Sequence, residues 1–171
     1  MKILCAADGS KFTKKALAFL TTHENLVGPN DELVVLHIQP PLPSHVKAMI
    51  TKKAVDDYYR EESEKVVEPI KRFLDRHALA YSASWVVGHA AEEIVATVKR
   101  DKIHMVVMGT HGYGLAGRLL MGSVAQKVLT TIDVPVLLDM MADFNRIEAI
   151  AWERGSAEAP LRRLLGSPEL G

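Results

Sequence analysis

Short apolar runs alternate with longer amphipathic stretches along most of this 171-residue chain, and that alternation limits the folds open to it. Ile3-Leu4-Cys5-Ala6-Ala7 is apolar throughout, the pattern of a strand buried on both faces. It stops at Asp8-Gly9-Ser10, which reads as a turn and a helix N-cap. In the helix that follows, Phe12, Ala16, Phe19 and Leu20 share one face, and Lys11, Lys14 and Lys15 read as a solvated stripe. After the turn Gly28-Pro29-Asn30-Asp31, Leu33 to Ile38 is a second buried strand, stopped by Gln39-Pro40-Pro41-Leu42-Pro43. Ser44 to His77 reads as a long helical stretch that packs through Val55, Tyr58, Tyr59, Val66, Val67, Ile70, Phe73 and Leu74, with a kink or break at Pro69. Three more strands follow, at Ser82 to Val87, Ile103 to Met108 and Val134 to Leu138. Gly88-His89-Ala90 leads into a helix carrying Ile94, Val95 and Val98 on one side. Ser123 opens another, with Val124, Val128 and Leu129 inward. Pro135 puts the fifth strand at a sheet edge, or breaks its ladder locally.

Hydrophobic strands alternating with helices predict an α/β fold with a parallel sheet covered on both faces and right-handed crossovers. Ligands of such sheets bind beyond the carboxyl ends of the strands, where the strand order reverses. The loops to search are therefore Ala7–Ser10, Ile38–Pro43, Gly88–Ala90 and Gly109–Ser123. Basic and acidic residues balance at 21 each, which argues against nucleic acid or an anionic membrane as partner. The apolar run after Met1 meets an acid after five residues, too soon for an export signal, and no run approaches a membrane span. A cytoplasmic protein is expected. Cys5 stands alone, so it reads as a small buried hydrophobe rather than part of a disulfide or CxxC site. His37, on a strand, reads as a core residue, and Glu61, Glu62 and Glu64 as a solvated helix face. No HExxH or paired-histidine spacing suggests zinc, so no metal ligand is assigned.

The segment from Gly109 to Ser123 is the one that promises chemistry. Four glycines fall between Gly109 and Gly117, and Gly122-Ser123 follows at the head of a helix. Glycine lets the backbone approach a ligand closely, and the first amides of a helix have no partner within it, so the segment reads as an anion cradle. Ser123 would add a hydroxyl donor, while His111 and Arg118 would bring positive charge, which makes a phosphate chain the natural ligand. The plainer alternative is a crossover whose glycines only make turns, with Ser123 as an N-cap. A P-loop fails, because Gly117 is followed by Arg118-Leu119 instead of Lys and Ser or Thr. Gly112-Tyr113-Gly114-Leu115-Ala116-Gly117 fits the dinucleotide spacing but follows the fourth strand, where the first is required.

Gly109-x2-Gly112-x9-Gly122-Ser123, with Val124 to Leu129 and Val134-Pro135-Val136-Leu137 after it, resembles the ATP-binding signature of universal stress proteins. Ala7-Asp8-Gly9-Ser10, Leu36-His37-Ile38 and Gly88-x-Ala90-x2-Glu93-Ile94 extend the resemblance over residues 2 to 138. It implies a HUP or Rossmann-like three-layer sandwich with a five-stranded parallel sheet in the order 3-2-1-4-5. It also implies a universal stress protein domain over 1–138, with 139–171 as a tail or extension. The implied ligand is ATP, with magnesium. Asp8 would contact the adenosine, with Ala6 and Ile38 lining the base pocket. Gly109, His111 and Gly112 would meet ribose and phosphates, and Gly122, Ser123 and Val124 the phosphate tail. His89-Ala90 departs from the Asp, Asn or Pro frequent in the family near this glycine.

The function implied is a nucleotide-dependent regulator of the stress response. Its occupancy, or very slow hydrolysis, would shift contacts with a protein partner or within a homodimer built on the strand Val134 to Leu138. No residue stands out as a catalytic base. Two alternatives are a nucleotide-dependent transferase or NAD-linked oxidoreductase on the same fold, and a nucleotide-free interaction protein. The first is disfavoured by the missing SGGxDS loop and misplaced dinucleotide glycines, the second by the loop glycines that are present.

Overall fold

The strands form where the sequence is apolar on both sides of the pleat. β1 (Lys2–Ala7), β2 (Glu32–Gln39), β3 (Ala80–Val87), β4 (Met105–Gly109) and β5 (Val136–Asp139) make one parallel sheet in the order β3-β2-β1-β4-β5. This computed structural model describes residues 1–23, 26–77, 79–109 and 122–139. The chain adds strands outward from β1 on one side and then returns to add β4 and β5 on the other. The order therefore reverses between β1 and β4. Alternate residues of β1 serve two cores. Ile3, Cys5 and Ala7 face α1 (Lys11–Thr22) and α3 (Lys52–Leu74), while Leu4 faces α4 (Ala90–Arg100) and α5 (Ser123–Leu129).

Ser10 caps α1 as its position after Asp8-Gly9 predicts, accepting from the Thr13 N–H at 3.4 Å. The buried face of α1 holds Thr13, Ala16, Leu17, Ala18 and Leu20, while Phe12 and Phe19 are only half-buried. Lys15, expected on the solvated stripe, is 6% exposed. A lysine stem covers apolar surface on the way to its charged end, so a helical face can take one in.

The long helical stretch is two helices. α2 (Ser44–Met49) ends at Ile50, and Thr51 starts α3 by accepting from the Ala54 N–H at 3.2 Å. The break falls at this cap and not at Pro69, which lies inside α3. Tyr59, Ser63, Val67, Ile70, Phe73 and Leu74 form the buried face of α3; Tyr58, read as part of it, is 39% exposed. In α5 the buried residues are Ala125 and Val128, and Leu129 turns outward. Gly122, not Ser123, is the N-cap of α5, which makes Ser123 its first helical residue. β5 is an edge strand, as Pro135 predicts, and it begins just after that proline, whose carbonyl accepts from the Val106 N–H, so the ladder is not broken there. Cys5 is fully buried, and burial with the nearby Asp8 charge pushes its thiol up to about 12, an inert hydrophobe as expected.

Candidate functional site

At the reversal of strand order, the carboxyl ends of β1, β2 and β4 open on a cavity of about 710 Å³. Seven of the expected site residues line it: Ala6, Asp8, Ile38, Gly109, Gly122, Ser123 and Val124. His111 and Gly112 lie outside the described residues, as does Arg118.

The β1–α1 turn is built around Asp8. Its Oδ1 accepts from the Ser10 N–H at 2.9 Å and from Thr13 Oγ1 at 2.7 Å, and its own N–H donates to Thr13 Oγ1 at 3.0 Å. The turn-forming role of an Asp before Gly is thus real. Both side-chain bonds end on Oδ1, which leaves Oδ2 as the oxygen available to a ligand. Gly9 has φ +76°, a conformation that costs other residues strain, and a Cβ there would also lie 3.2 Å from Val66 Cγ2. Across the site, the β3–α4 turn is drawn to β2 by the Gly88 N–H, which donates to Gln39 O at 3.0 Å. A Cβ on Gly88 would fall 2.6 Å from Glu93 Oε1, so a larger residue here would make the Glu93 side chain on α4's first turn swing aside.

One side of the cavity is apolar. Ala6, Ile38, Ile94, Met108 and Val124 belong to a single hydrophobic cluster on the α4 and α5 side of the sheet. Polar groups line the cavity as well. At the start of α5 the first helical bond is Gln126 N–H to Gly122 O at 3.0 Å, so the Ser123, Val124 and Ala125 amides have no acceptor within the helix. His37, near the end of β2, is buried and also lines the cavity. Its Nδ1 donates to the Ala7 carbonyl at 2.8 Å, and its Nε2 lies 3.3 Å from Gln39 Oε1, the satisfied core role its strand position predicts.

Sequence reasoning missed the contribution of α3. Glu62, Lys65 and Val66 line the cavity, and Glu62 is ion-paired with Lys65. From the sequence, Glu62 reads as solvated surface and Val66 as packing. No local signal marks either, because it is the crossing of α3 over the Gly9 turn that brings them to the cavity. Ile94 and Met108, which the sequence marks only as packing and strand positions, line it too, and so does Ala90 from the expected loop Gly88–Ala90. Among the described residues, no group of three or more His, Cys, Asp or Glu stands ready to hold a metal. None of their helices is long and apolar enough to cross a membrane.

An open parallel sheet with helices on both faces and a crevice at its switch point makes this a Rossmann-like α/β domain. The chain belongs to the universal stress protein family, whose model matches residues 1–138. A universal stress protein of Thermus aquaticus, encoded beside a QAH/OAS sulfhydrylase gene, is 32% identical over 142 residues, covering 80% of this chain and 96% of that protein. The structure of MJ0577 from Methanocaldococcus jannaschii is 27% identical, with a TM-score of 0.68 over 80% of this chain and 93% of that one. A universal stress protein family member from Arabidopsis thaliana, solved with AMP bound, shares the fold at 15% identity and a TM-score of 0.58. That likeness covers 81% of this chain and 90% of that one.

Proposed function

We propose that this universal stress protein binds ATP in the cavity at its switch point and acts as a nucleotide-dependent regulator in the cytoplasm. One observation carries the reading. An apolar lining suited to a purine base and helix-start amides that have no acceptor within their helix, suited to phosphate, open on one cavity of about 710 Å³, within the usual size of small-molecule sites. Ala6 and Ile38 would line the base, and Asp8, through its uncommitted oxygen, would meet the ribose. Gly109, Gly122, Ser123 and Val124 would hold the phosphates, with His111 and Gly112 completing the loop. Magnesium, which needs only one or two carboxylates beside phosphate oxygens, would enter with the phosphates. The AMP carried by the Arabidopsis neighbour supports an adenine nucleotide as the ligand class. Occupancy would act on contacts with a second copy through β5, or with a protein partner, and very slow hydrolysis would reset it.

Titration calorimetry with ATP, AMP and adenosine tests the division of the site. Ser123→Ala should remove a hydrogen bond to a charged group, costing ATP about 1.5–3 kcal/mol, or about 10- to 150-fold in affinity, and leave adenosine nearly unchanged. Asp8→Ala should weaken all three ligands alike. Asp8→Asn, which keeps an oxygen for Ser10 and Thr13, separates loss of the ligand contact from damage to the turn. Identical ligand profiles for the Ser123 and Asp8 variants would refute the assignment.

A further inference from the structure

The wall that no loop supplies comes from α3. Val66 packs against the β1–α1 turn, 3.2 Å from where a Gly9 Cβ would lie, which holds the helix over the strand ends. Beside Val66 stands Lys65, ion-paired to Glu62 three residues earlier, and both line the cavity. Among the described lining residues the acids are Asp8 and Glu62, and Lys65 is the one with an ammonium or guanidinium group. Of the described lining, a phosphate chain entering this cavity would meet two carboxylates and one ammonium. An exposed pair at i,i+3 holds only weakly, and the Lys65 side chain, 68% exposed, keeps its rotatable donors. A phosphate carries more charge than the Glu62 carboxylate it would replace. The hydrogen bond to Glu62 and its charge also raise the Lys65 pKa.

We propose that Lys65 is a ligand-binding residue, which leaves Glu62 to take the phosphates of the bound nucleotide, Glu62 being its resting partner and the competitor of the ligand. The inference rests on the nucleotide reading above and deepens it. It makes a helix that reads as solvent-facing part of the site, and it ties affinity to ligand charge.

The two members of the pair should then act in opposite directions. In calorimetric titrations with EDTA at low salt, Lys65→Met should weaken ATP about 3- to 10-fold, weaken AMP less, and leave adenosine within about twofold. Lys65→Arg should keep most of the affinity. Glu62→Gln should strengthen ATP about 2- to 5-fold, and the Lys65→Met loss should shrink as salt rises. If wild type binds ATP and Ser123→Ala weakens it while Lys65→Met does not, this inference alone is overturned. It also falls if both pair variants weaken ATP and adenosine alike, because the pair then only supports the helix. Wild type that binds none of the three ligands overturns it together with the nucleotide reading.

Discussion

Tyr81 ties the end of α3 to β3. Its hydroxyl donates to Asp75 Oδ1 at 2.5 Å, and burial together with this bond and the Asp75 charge pushes its pKa from the ordinary 10 up to about 12. The folded state therefore favours the neutral phenol. The stabilisation is fully present below pH 10, the unfolded value, and is lost as the pH rises through about 12. Tyr81→Phe should lower stability at pH 8 and flatten its decline between pH 10 and 12, as read by urea denaturation across that range. Equal slopes for variant and wild type would refute it. This bond is not legible in sequence, because it joins a strand residue to a helix end that only folding brings together, whereas the Lys65–Glu62 spacing is that of a helical i,i+3 pair and only its place at the cavity is hidden. Asp8 and Gly9 were legible, because a turn between a buried strand and a helix N-cap demands those residue types.

Elements were read more surely than their faces. Every strand lies where an apolar run predicts it, yet Tyr58 and Leu129 turn outward and Lys15 turns inward. A helix face is set by its angle to the sheet, and the 3.6-residue period alone leaves that angle open. β5 shows the converse, an edge that the sequence itself announces through Pro135. The Val106 N–H donates to Pro135 O at 2.9 Å, and alternation along a strand then turns the polar groups of Val136 away from β4. An unpaired edge invites a second copy. Light scattering at micromolar concentration should give twice the 18.9 kDa of the chain. Val136→Pro, which removes an outward donor and spares the β4 ladder, should give a monomer that melts normally. A monomeric wild type would refute the dimer.

For the molecule as a whole, the last described residue in either hydrophobic core is Leu138, and 139–171 lacks the apolar periodicity of the rest of the sequence. A chain truncated after Met140 should therefore keep a cooperative thermal transition within a few degrees of the full-length protein. Loss of cooperativity in calorimetry would show that residues 141–171 belong to the core. The sequence by itself determined the alternation of strand and helix, the parallel sheet and the loops that frame the cavity. Those follow from local periodicity and turn chemistry, and strand-end loops gather at one edge in any such sheet. Its glycine spacing also pointed to the family, and through it to the strand order. Only the tertiary structure decided that α3 crosses the Gly9 turn and brings Glu62, Lys65 and Val66 to the cavity, beside an apolar side drawn from β1, β2, β4, α4 and α5. That depends on how a helix packs across a twisted sheet, a balance of contacts between residues far apart in the chain, which no local pattern encodes.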